Sequence, residues 1–90
     1  MNVTAYMIAF DDQHQELIFP VDSQDLRAGD LLLLQTGAVV PADCKLLSGE
    51  VLIGGISLTP PLIVQQGGLV ENGTAKAYVI AADAAHAYTT

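Results

Sequence analysis

The sequence predicts an all-β fold, a distorted β-sandwich or partly open barrel of short strands, spanning residues 1–90 as one domain. Three observations predict it. The apolar runs at 31–34 and 51–53 are strand-sized. Turn signals containing Gly recur about every eight to twelve residues. The apolar supply, 51% of the chain, is Ala, Leu, Val and Ile, with no Trp, three Tyr and two Phe. That is enough for one aliphatic core, but a chain this size buries only roughly two-thirds of its unfolded surface, so modest stability is expected.

Residues 3–10 are rich in β-formers and predict the first strand. Asp11-Asp12-Gln13-His14-Gln15 is a polar turn, and 17–21 resume as the second strand of a hairpin. Pro20, which cannot donate to a ladder, marks a strand end or an edge. Asp22 or Ser23 is placed to cap a single helical turn through Leu26. Ala28-Gly29-Asp30 is a turn that uses the positive φ open to Gly. The unbroken apolar run at 31–35 predicts a strand covered on both faces. Thr36-Gly37-Ala38 turns the chain, and Pro41 makes Pro41-Ala42-Asp43 a defined corner. Strands are then expected at 44–47, 51–53 and 56–58, with Ser48-Gly49-Glu50 as a tight turn and Gly54-Gly55 as a break. Thr59-Pro60-Pro61 is the sharpest stop, since a Pro-Pro pair has no amide donors. A short extended piece at 62–64, a Gly67-Gly68 turn, a further piece at Leu69-Val70 and a hairpin-type Asn72-Gly73 turn precede a last strand at 75–82. An Ala-rich segment at 83–88 could form a helical turn.

The formal charge of −7, with Arg27, Lys45 and Lys76 the three basic residues, argues against a nucleic-acid partner and against adhesion to anionic lipid. The lone Cys44 rules out an internal disulfide or a cysteine zinc site, and a buried structural thiol is expected. No run approaches the ~20 apolar residues of a membrane helix, so no span of its own is expected. The N-terminus lacks the pattern of a signal peptide. Sequon matches at Asn2 and Asn72 are therefore read as chance.

The spacing of Gly29-Asp30, Gly37, Pro41-Ala42-Asp43 and Leu58-Thr59, followed by Gly73-Thr74, resembles the actuator domain of P-type cation-transporting ATPases. Leu26, Leu46-Leu47, Gly49, Pro61, Gly67, Val70 and Val79 fall in the same family order, so the resemblance runs from about Leu26 to Val79. It implies a distorted β-sandwich set in the cytosolic loop between two membrane helices. In that family Leu-Thr is followed by Gly-Glu-Ser, whose Glu positions the water that attacks an aspartyl-phosphate. Here Pro60-Pro61 follow Thr59 at once. Ala38 replaces the usual Asp, and Val64 and Gln65 stand near the place of a usual Lys.

The resemblance therefore implies a scaffold without its catalytic loop. No catalytic residue, metal or cofactor is expected, and the chain alone is not expected to be an enzyme. Gly29, Asp30, Gly37, Pro41, Ala42, Asp43, Leu58, Thr59, Gly73 and Thr74 are expected to be structural. Two functions follow: a stand-alone regulatory or binding module, or a degenerate piece of a membrane pump. A third reading is a small β-domain alike only in its turns. The expected partner is a P-type ATPase or another protein, the location cytoplasmic or on the cytosolic face of a pump, and the state monomer or weak dimer. Asp12, His14 and Glu16 would share a face if extended, which makes a metal site conceivable, but a solvated hairpin tip is the expectation. Ser23, Ser48 and Ser57 lack a His and an acid at triad spacing.

Overall fold

A computed structural model of the chain describes residues 3–81. The Ala-rich segment at 83–88, His86, Ala82 and Asn2 lie outside the described residues. Strands β1 (Thr4–Phe10) and β2 (Glu16–Asp22) form the expected hairpin, in register from Thr4↔Asp22 to Phe10↔Glu16. Its tip is an Asx turn: Asp11 Oδ1 accepts from the amides of Gln13 (2.8 Å) and Gln15 (2.9 Å). His14 there adopts φ 64°, which breaks the alternation that would align it with Asp12 and Glu16. Among the described residues no three His, Cys, Asp or Glu side chains group as metal ligands. Asp22 caps a 3-10 turn at Ser23–Asp25 by accepting from the Gln24 amide (2.9 Å).

The remaining strands are β3 (Leu31–Gln35), β4 (Asp43–Ile53), β5 (Ile56–Leu58), β6 (Ile63–Val64) and β7 (Val70–Ala81). All pair antiparallel in one sheet of order β2-β1-β3-β7-β4-β5, with β6 also on β4. The sheet curls over one core. Val21 from one end of the strand order and Leu58 from the other pack against the same buried cluster, centred on Leu32, Leu34, Leu46, Val51 and Val79. The all-β, partly open architecture is the expected one.

Three local expectations are corrected. The run at 31–35 is not covered equally on both faces: Leu32 and Leu34 are buried, while Leu31 and Leu33 are half-buried. Ser48-Gly49-Glu50 is not a turn, because β4 runs unbroken through it with a register shift between Leu46 and Ser48. Asn72-Gly73 is not a hairpin turn either, but lies inside β7 opposite Val51 and Leu52. Both glycines take positive φ, 86° at Gly49 and 107° at Gly73, and the strands continue through them instead of reversing. Gly54-Gly55, by contrast, is a two-residue hairpin turn joining β4 to β5.

Candidate functional site

The positions singled out by the sequence form brackets around β7 and β4 and do not converge on one pocket. Gly29 (φ 96°) donates its amide to the Val79 carbonyl (2.7 Å), and Val79 donates back to Asp30 (2.9 Å). The Asp30 carboxylate closes the turn by accepting from the Arg27 amide (2.8 Å). At the other end of β7, the Gly37 amide reaches the Val70 carbonyl (2.8 Å). Thr36 completes this bracket. Its hydroxyl oxygen accepts from the Gly73 amide (2.9 Å) and donates to the Gly73 carbonyl (3.3 Å). Thr74 follows, exposed, opposite Gln35 and Glu50.

The third bracket is the Pro41-Ala42-Asp43 corner. Before it, Val40 donates to Gly68 (2.8 Å) and accepts from Gly67 (2.9 Å). Ala42 is fully buried, and Asp43 Oδ1 accepts from the Gln66 amide (2.8 Å). Asp43 thus serves a turn distant in sequence. The contributions of Thr36 and Gln66 carried no sequence signal, because a hydroxyl or amide acting on a remote backbone has no local pattern.

Leu58 and Thr59 end β5, with Leu58 opposite Val51. The Leu62 amide donates to the Thr59 carbonyl (3.0 Å), so Thr59-Pro60-Pro61-Leu62 is a closed four-residue turn across a cis Pro60–Pro61 bond. The acids nearest to it in sequence are engaged elsewhere. Glu50 accepts from the Ser57 hydroxyl, and Glu71 accepts from the Gly55 amide (3.2 Å) in the β4–β5 turn.

Cys44 lies fully buried beside Asp43, its thiol donating to the Ala42 carbonyl (3.0 Å). Burial first, and the Asp43 charge second, push its pKa from 9.0 up to about 12. A thiol held protonated this way is not a nucleophile. Below pH 9.0 folded and unfolded chains both keep the proton, so pH leaves stability unchanged through this group. Between 9.0 and about 12 only the unfolded chain releases it, and stability falls by about 1.4 kcal/mol per pH unit. Urea titrations at about pH 8 to 11 are expected to show this slope in the native chain and a shallower one in Cys44→Ala. Equal slopes would mean that the thiol is not held protonated.

The P-type ATPase actuator domain family matches residues 2–60. The chain belongs to that family. Among solved structures, it is similar to a zinc-transporting PIB-type ATPase in an E2·Pi state, with a TM-score of 0.67 and 22% identity. That match covers 88% of this chain and 14% of the ATPase. A second structure of a zinc-transporting PIB-type ATPase, in another state of the E2 type, matches with a TM-score of 0.66 and 18% identity, over 87% of this chain and 14% of that one. These likenesses show the fold, and this chain spans about one-seventh of either protein's length. No curated protein matches the sequence. The family match ends at Pro60, within the Thr59-Pro60-Pro61-Leu62 turn, whereas the structural matches extend over most of the chain.

Proposed function

We propose that this actuator-type chain binds and regulates, and does not hydrolyse. The observation that carries the reading is the closed turn at Thr59-Pro60-Pro61-Leu62. General-base positioning of water needs a carboxylate within hydrogen-bond reach of that water. The turn has no residue to spare for one, and Glu50 and Glu71 hold other partners. Gly29, Asp30, Gly37, Pro41, Ala42, Asp43, Leu58, Thr59, Gly73 and Thr74 act as scaffold on this reading. The partner that fits is a P-type cation pump, met at its cytosolic face.

Two measurements test it together. Hydrolysis of acetyl phosphate by the purified chain is expected to equal the buffer rate, and to stay there in Glu50→Gln. Capture from detergent-solubilised native membranes is expected to recover a P-type ATPase, less of it when 58–62 are altered. Hydrolysis lost in Glu50→Gln would overturn the non-catalytic half, and failure to recover a pump would overturn the partner.

A second reading is favoured by the one-seventh share of the solved ATPases. On it, the chain is a piece of a membrane cation-transporting ATPase. A longer reading frame encoding flanking membrane helices and a phosphorylated-aspartate motif would establish it, and a frame without them would remove it.

A further inference from the structure

Strand β2 is exposed on its edge and on both faces. Among the described residues it pairs only with β1, and Leu17, Ile18 and Phe19 are 49%, 48% and 39% exposed. Consecutive residues point to opposite faces, so apolar surface is open on both sides of one edge. An edge of this kind presents a row of free amides and carbonyls to another strand.

The ladder identifies which groups are free. Asp11 donates to Gln15 and Ser23 donates to Val3, which makes the odd-numbered positions the hydrogen-bonded pairs of the hairpin. The backbone groups of Leu17, Phe19 and Val21 therefore face β1. Those of Glu16, Ile18, Pro20 and Asp22 face outward. Pro20 offers a carbonyl there but no amide, so Glu16 to Pro20 is the usable stretch.

We propose that β2 pairs antiparallel with β2 of a second copy, about a two-fold axis at Ile18. Sequence symmetry favours this register. The Ile18 groups of the two copies exchange both bonds, and each Glu16 amide meets the carbonyl of the partner's Pro20. Leu17 then lies opposite the partner's Phe19, apolar on apolar. Asp22 lies across from the partner's His14, and neither acid of β2 faces an acid. Elsewhere the charge of −7 repels a second copy, whereas β2 offers a stretch of three apolar residues. One short strand buries less than a standard interface of about 1,600 Å², so the dimer is weak. The inference does not depend on the regulatory reading above.

Hydrogen exchange at rising protein concentration tests the register directly. The Glu16 and Ile18 amides are expected to become protected as concentration rises, while Leu17 and Phe19 are protected throughout by β1. Sedimentation gives the affinity. Ile18→Pro removes an outward donor without touching the β1 ladder and is expected to weaken association roughly thirtyfold, from two lost bonds per dimer. Ile18→Lys keeps every amide but sets like charges opposite each other, and is expected to weaken it too. Ile56→Lys, at a site 62% exposed on β5, is expected to leave it unchanged. A monomer at millimolar concentration, or a dimer indifferent to both Ile18 variants, would overturn the proposal.

Discussion

Gly73→Ala is expected to destabilise the fold by roughly 3 kcal/mol or more, a large fraction of the stability of a domain this small. Two effects add. Gly73 sits at φ 107°, where a side chain is strained. A Cβ there would also stand 2.2 Å from the Glu50 carbonyl oxygen, with Val51 Cα at 3.1 Å. That neighbour is backbone in the paired strand, so it cannot rotate away. Relief would require β4 and β7 to separate where Thr36 also ties Gly73 in place. Gly49, from the other strand, meets β7 in the same way, 2.3 Å from the Thr74 carbonyl oxygen. Gly29 supplies the control, since its φ is 96° with nothing within 4 Å. Gly29→Ala is expected to cost only the conformational term, about 1 kcal/mol. Urea denaturation of the three alanine variants separates the terms. Gly73→Ala no worse than Gly29→Ala would show that the strands do not approach this closely.

The same two glycines mark where the sequence reading stopped short. Ser48-Gly49-Glu50 and Asn72-Gly73 carry the chemistry of turns, and a Gly at positive φ serves a turn and, here, an unbroken strand alike. Which one forms depends on whether a partner strand continues past the glycine, and that is a tertiary fact. The β1–β2 hairpin was legible because its signals are local: an Asx turn at Asp11 and β-formers on both sides. The cap at Asp22 and the Thr59-Pro60-Pro61 stop were legible for the same reason. The brackets were only half legible. Asp30 closes its own turn, whereas Asp43 holds a turn more than twenty residues away and Thr36 clamps a strand nearly forty away.

Leu32→Ala is expected to cost roughly 3 kcal/mol, and Leu33→Ala, one residue on, under about 1 kcal/mol. The contrast follows from the sheet. Leu32 is fully buried, opposite Met7 on β1 and Ala77 on β7. Leu33 points to the other face, opposite Tyr6 and Lys76, and stays half-buried. The core around Leu32 includes Ala5, Ala42, Ala75, Ala77 and five valines, all short side chains. Short, stiff neighbours cannot reach into the space a leucine vacates, so the cavity remains and its cost is added to the lost transfer energy. Thermal and urea unfolding of the two variants checks this. Equal losses would mean that both faces of β3 are covered alike, as the unbroken apolar run first suggests, and that a second layer packs on the outer face of the sheet. A large loss at Leu32 alone places the stability of the fold on the inner face, and leaves the outer surface and the free edge of β2 open to partners.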